Sequence, residues 1–397
     1  MVIDTQQMTL PMISDEHKER IAEIDRETER LTALEETRQI ESRMEKLTNL
    51  KMRNSDTIVL SGHGCYIKVR NDGLAVEYSV SGSQENVRVL TMHRGVHRIK
   101  QIIVVAKSGY ISLDAIEWTA NQGITVIMLN FKGELITVLT PQQSRNAKLS
   151  YLQIQASESP LSLTISKELI RQKTLAQIET LKSIDEYKHT RVFKKYRAAR
   201  VWSGPPWILL ENEVSTLQQL DSVEAVRVFE ANLAMYYWSE LNGIPIKFDR
   251  VARKSIPPHW LSISQRISDV SYFHNAHQAS NPYHSALNFA YALLEAQCLE
   301  AITLSGLDPS IPFLHSYQEN KHALVWDVME CWRASIDYLV IELFQRTTFS
   351  KGDFYQELTG EVRLSEELRR YIIASCRVDN ISIDRQVRWL RSTLLEQ

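Results

Sequence analysis

Cysteine is scarce in this chain: Cys65, Cys298, Cys331 and Cys376 stand far apart, and no C-x-x-C pair occurs. That spacing excludes a paired-cysteine zinc or redox motif, so reduced, packing thiols are expected. Long apolar runs are absent too. None approaches the roughly 18 residues of a membrane helix, and the opening MVIDTQQMTL has neither the basic region nor the apolar core of a signal peptide. The expectation is a cytoplasmic protein with no membrane partner. An excess of positive charge is also missing, since 46 Lys and Arg face 48 Asp and Glu for a formal net charge of -2. A basic overall footprint is therefore lacking, and only the placement of cations can argue for nucleic acid.

What is present is an ordinary globular composition, 44% hydrophobic and 24% charged, over 397 residues. That length supports two or three domains. Residues 14–52 are dense in Glu, Arg and Lys, contain no Gly or Pro, and open on Ser14, a good N-cap. They predict one long helix within a charged extension, 1–52, which either lies on the body of the protein or binds a partner.

From Thr57 the pattern becomes short strands: 57–60, 65–69, 74–78, 87–90, 102–105, 125–129 and 135–139, with one helix at 112–121. Asn71, Asp72 and Gly73 are a hairpin turn signature. A compact β domain over 53–141 is expected. Beyond Pro141 strand signals nearly vanish, and helices are predicted at 142–155, 161–184, 185–202 and 215–241. The third of these carries Lys188, Arg191, Lys194, Lys195, Arg197 and Arg200. Such a face is either a solvated surface or a contact to DNA phosphates.

On the next helix Glu230 lies within the apolar stripe of Val226, Phe229, Leu233, Tyr236 and Tyr237. A carboxylate there must be paired, hydrogen-bonded or metal-bound. Residues 243–283 follow as a Pro-, His- and Ser-bearing segment, either a loop that covers the helical domain or one that grips DNA through its cations and aromatics. Its His259, His274 and His277 lack carboxylates at useful spacing and read as surface polar residues.

The stretch 284–346 organises the rest. A buried helix at 285–304 is stopped by Gly306 and Pro309, so 305–319 is a loop, and a second helix runs over 322–344. His315 sits on the loop, while Asp327 and Glu330 lie three apart on the second helix and share a face. An imidazole folded over carboxylates suits a divalent cation such as Mg²⁺ or Mn²⁺. The alternative is a capping or packing histidine beside a solvated acidic face. The remainder, 352–397, is a helical tail, either a packing cap or a helix-turn-helix.

Several strings in this region resemble the CRISPR-associated Cas1 family. They are Asn288-Phe-Ala-Tyr291-Ala-Leu-Leu, Gly306-Leu-Asp-Pro309, Phe313-Leu-His315 and Asp327-Val-Met-Glu330, preceded by Glu230 in Phe229-Glu230-Ala-Asn-Leu-Ala-Met-Tyr-Tyr237-Trp238. The resemblance covers roughly 57–350 and does not include the N-terminal extension; the insertion 243–283 lengthens the family's spacing. It implies an α+β protein: an N-terminal β-sandwich-like domain for dimerisation, then an all-α catalytic domain over 142–351, to which this chain adds the extra N-terminal helix expected from its composition. It also implies a metal held by Glu230, His315 and Glu330, with Asp327 as ligand or orienter and Asn288 and Tyr291 in support. The reaction implied is attack of a 3′-hydroxyl on a DNA phosphodiester by a homodimer acting on double-stranded DNA, with a possible Cas2-type partner. A mobile-element integrase of the casposase type and a non-catalytic DNA-binding protein are the competing readings.

Overall fold

The computed structural model describes residues 56–79, 87–141, 146–188, 205–250, 253, 255–264 and 279–396. The charged extension, most of the basic segment 185–202 and residues 265–278 with His274 and His277 lie outside it.

The first element is β1 (Thr57–Arg70), a single strand where two were expected. It turns at Asn71 and Asp72, both with positive φ (48° and 63°), into β2 (Gly73–Ser79). Two left-handed residues give the turn whose twist matches an antiparallel pair. After β3 (Val87–His93) and β4 (Gln101–Ile111), Ser112 caps α1 (Leu113–Asn121) by accepting the Ala115 N–H. Then come β5 (Thr125–Leu129) and β6 (Leu135–Leu139).

These strands make one six-stranded sheet in the order β3-β2-β1-β4-β5-β6, parallel at β1–β4 and β4–β5 and antiparallel elsewhere. The expected sandwich is therefore corrected to one mixed sheet among the described residues. The physical reason lies in its two buried faces. Ile58, Leu60, Ile102 and Val126 pack with Trp118 of α1, whereas Val59, Ile103, Val105, Ile127 and Leu129 join the core of the helical part. The helical part covers one face, and α1 contributes Ala115 and Trp118 to the other.

The helical part contains α2 (Ala147–Ser157), α3 (Pro160–Lys188), α4 (Pro206–Val214), α5 (Val223–Leu241), α6 (Pro282–Ser305) and α7 (Ala323–Arg346). The helix expected over 215–241 is shorter. A 3-10 turn at Thr216–Gln219 and an extended Leu220 break it, and Ser222 starts α5 by capping Ala225. Gly306 ends α6 in the left-handed conformation (φ 83°), as its position predicts. No helix among the described residues is long and apolar enough to cross a membrane.

The tail begins with a small hairpin, β7 (Phe354–Gln356) and β8 (Val362–Leu364), before α8 (Glu366–Ser375) and α9 (Asn380–Leu395). Leu368, Ile372, Ile383, Val387 and Leu390 are buried in the main core. Arginines of the tail also tie it to the sheet domain: Arg363 and Arg369 donate to the carbonyls of Lys132 and Phe131, and Arg370 to that of Ser61. The helices of the tail bury these apolar residues against the protein.

The described part of 243–283 is core as well. Gly243 and Ile246 donate to the carbonyls of Ile263 and Leu261, and Ile246, Phe248, Ile256, Trp260 and Ile263 are buried. Trp260 and Phe248 meet Phe354 in an aromatic cluster that includes Phe344 and Phe349. Trp260→Ala is accordingly expected to lower unfolding stability by about 3–5 kcal/mol, the cost of deleting a buried aromatic. Urea denaturation measures it, and a loss within about 0.5 kcal/mol would instead mark this segment as a surface cover.

Candidate metal centre

The site is assembled on α3, α5, α7 and the loop between α6 and α7. Side chains on a helix tilt toward its N-terminus, so Asp327, near the start of α7, reaches back under the loop. It is fully buried and accepts the N–H groups of Phe313 (2.6 Å), Leu314 (2.9 Å) and His315 (2.9 Å). His315 Nδ1 lies 2.7 Å from the same carboxylate. A carboxylate only accepts, so Nδ1 donates to Asp327 and Nε2 is the ring nitrogen that Asp327 does not engage, the arrangement of an imidazole ligand backed by an acid. The loop is also pinned from outside: Ser162 and Ser166 of α3 donate to the Phe313 carbonyl, and Arg227 of α5 to that of Leu314.

One turn after Asp327, Glu330 is buried, with 6% exposure. Its partners are two cations. Lys173 Nζ of α3 lies 2.5 Å from Oε2, and Arg333 Nε 2.9 Å from Oε1. The same ammonium is paired with Oε1 of Glu230 on α5. Glu230 and Glu330 thus converge on one positive charge. The Nζ contact to Glu330 is ionic more than directional, for Oε2 has no aligned hydrogen-bond donor. Burial would raise the Glu330 pKa, but Lys173, Arg333 and His315 overcome it and hold it down at about 2. Burial likewise opposes the Lys173 charge, and the two glutamates more than restore it. Glu230 and His315 are partly exposed, so the cluster opens to solvent on their side.

Behind Glu330, Arg333 lies over the Tyr291 ring, 5.0 Å from its centre. Tyr291 and Tyr237 both donate to Asp337, at 2.5 and 2.9 Å. Burial pushes the Asp337 carboxyl up to about 6 against the pull of these bonds and of Arg333. Asn288, Tyr291, Trp326 and Arg333 line a groove of about 1240 Å³ between the β5–β6 turn region, α2, α6 and α7. Glu230, His315 and Glu330 are not in its walls, and Arg333 links the two places.

The structure therefore brings Glu230 and Glu330 together on one ammonium and fixes His315 on Asp327, an acid engaged in four contacts. Among the described residues no three His, Cys, Asp or Glu side chains close on one point as a finished cage. Lys173 holds the place between the carboxylates. Of the basic set, Lys188 ends α3, and Arg191, Lys194, Lys195, Arg197 and Arg200 lie outside the described residues. Sequence reasoning missed Lys173, Arg333 and Asp337. Lys173 was within reach of the argument used for Glu230, for it falls in the stripe Ile165, Leu169, Ile170, Ile178 and Leu181 of α3.

Known proteins share this arrangement of elements. A casposase bound to integration product superposes with a TM-score of 0.68 at 23% identity, over 86% of this chain and 90% of that one. A CAS1 protein from Thermotoga maritima does so at 0.61 and 16%, over 86% and 97%. At these identities the likeness is one of fold. In sequence, the CRISPR-associated endonuclease Cas1 1 of Thermodesulfovibrio yellowstonii is 26% identical over 305 residues, 77% of this chain and 85% of that protein. The namesake from Archaeoglobus fulgidus is 25% identical over 330 residues, 80% and 86%. The family described as CRISPR associated protein Cas1 matches residues 58–377, from the first sheet strand through the site and into the tail. The chain belongs to the CRISPR-associated Cas1 family.

Proposed function

We propose that this chain is a DNA nuclease and integrase whose divalent ion, Mg²⁺ or Mn²⁺, is held by Glu230, His315 and Glu330. The observation that carries the reading is the convergence of two glutamates from different helices on a single cation, beside an imidazole held on Asp327 through Nδ1. The donor set fits the ion: two carboxylates and one imidazole, all hard or borderline ligands. When bound, such an ion activates a 3′-hydroxyl or water, polarises the scissile phosphate and steadies the leaving oxygen.

The chain's own residues do the rest. Asp327 holds the loop and orients His315, and Arg333 neutralises one oxygen of Glu330 and stiffens its position through Tyr291 and Asp337. The partly exposed side, with Glu230 and His315, admits the DNA phosphate. The adjoining groove, which reaches Glu330 through Arg333, is the path for a strand. Double-stranded DNA is the substrate, supported by the endonuclease relatives and by the casposase bound to its integration product. A Cas6-RT-Cas1–Cas2 complex, alike in fold at a TM-score of 0.61 and 16% identity over 35% of its chain, supports a Cas2-type partner, and homodimerisation is part of the same proposal.

Purified protein is expected to transfer a 3′-hydroxyl DNA end into a supercoiled target with Mn²⁺ and not with EDTA. His315→Ala should reduce that rate to background while circular dichroism and the melting profile remain near wild type, because His315 is partly exposed. A His315→Ala protein working at the wild-type rate would remove this histidine from the chemistry.

A further inference from the structure

The cation between the two glutamates is part of the chain. Lys173 comes from α3, a helix that contributes neither carboxylate, and its side chain is enclosed where α3 meets α5 and α7. Leu169 and Ile170 precede it by a turn, and Val328 and Cys331 line the facing side of α7. An ammonium placed there without counter-charges would be costly, and so would two glutamates without a cation.

We infer that Lys173 is a resident counter-cation that holds Glu230 and Glu330 together while the site is metal-free and competes with the divalent ion for the same carboxylate oxygens. The inference rests on the metal reading proposed above. The carboxylates are acceptors only, and the ammonium already touches Oε1 of Glu230 and Oε2 of Glu330. A divalent ion drawing on those oxygens must displace Nζ from at least one of them. Lysine suits this task because its ammonium is a single point charge on a flexible stem and can move aside, whereas a guanidinium fork is rigid. Arg333, on the other oxygen of Glu330 and packed over Tyr291, is the fixed cation of the pair. Lys173 is thus a positioning residue with two opposed effects: it stabilises the empty site and weakens metal binding.

Both effects can be read apart from catalysis. The full chain and its Lys173→Met variant are compared by calorimetric titration with Mn²⁺ at pH 8 and by thermal melting in EDTA and in Mn²⁺. Lys173→Met is expected to melt earlier than wild type in EDTA, to bind Mn²⁺ on the order of 10- to 100-fold more tightly, the scale on which groups adjoining metal ligands act, and to gain more from Mn²⁺ in melting temperature than wild type does. Lys173→Gln, which keeps a hydrogen-bond donor, repeats the measurement should the Met protein not fold. Variants that fold only with Mn²⁺ present support the inference as well. Equal or weaker Mn²⁺ binding by a folded variant overturns it, as does a failure of both variants to fold whether or not Mn²⁺ is supplied. If wild type itself takes up no Mn²⁺ although it is folded, the metal reading fails, and this inference with it; Mn²⁺ bound by wild type and no more tightly by the variants sinks the lysine inference alone.

Discussion

Asp327→Asn is expected to cost about 2 to 4 kcal/mol in unfolding stability and to bring DNA strand transfer to background. The carboxylate is fully buried and accepts three successive backbone N–H groups and the His315 ring. Hydrogen bonds to a charged acceptor contribute about 1.5 to 3 kcal/mol each, and a buried donor left unpaired costs about 1 to 3 kcal/mol. Asparagine keeps the shape and one oxygen, but its amide group turns a donor toward donors. At least one N–H of the loop therefore loses its partner, and Nδ1 of His315 loses the anion that fixes its proton. Urea denaturation and a strand-transfer assay measure the two consequences. A variant within about 0.5 kcal/mol of wild type, the range of changes at uninvolved surface positions, would show that the loop is held by other contacts.

Glu330→Ala should be comparably severe for a different reason. It removes the anion facing both Lys173 and Arg333, and breaking a buried pair by deleting one partner costs about 3 to 5 kcal/mol because the remaining charge is uncompensated. Lys173 keeps Glu230, which places the expected loss toward the lower end. Strand transfer should vanish with it. Combining Glu330→Ala with Lys173→Met separates the two roles: the double variant removes one charge of each sign, so it should regain much of the lost stability and none of the activity. Additive losses in that double-mutant cycle would mean that the two side chains do not interact.

Much of this arrangement can be read from the residues alone, and the failures have identifiable causes. Local signals served well: the Asn71-Asp72 turn and the Gly306 stop that puts His315 on a loop are each dictated by a few neighbouring residues. Glu230 could be singled out because a carboxylate in an apolar stripe demands a partner. The identity of that partner could not be read, since Lys173 stands 57 positions away and only the packing of α3 on α5 and α7 brings them together. The sandwich-like domain expected from the resemblance is a single mixed sheet among the described residues, and strands buried on both faces have the same composition whichever kind of layer covers them. The segment 243–283 divides its apolar residues among prolines, histidines and cations, so periodicity showed only a loop. Tertiary contacts put Ile256, Trp260 and Ile263 into the core. The break before α5 escaped notice because Thr216–Gln219 continues a helical turn with helix-compatible residues, and only the extended Leu220 interrupts it.

The central claim is that Glu230, His315 and Glu330 hold one divalent ion. Anomalous diffraction from crystals of the full chain soaked in Mn²⁺ tests it most directly. One peak should appear about 2 to 2.6 Å from a carboxylate oxygen of Glu230, a carboxylate oxygen of Glu330 and Nε2 of His315, the distances for hard-cation oxygen and imidazole ligands. A manganese peak elsewhere, with Lys173 still seated between the two glutamates and His315 turned away, would contradict it.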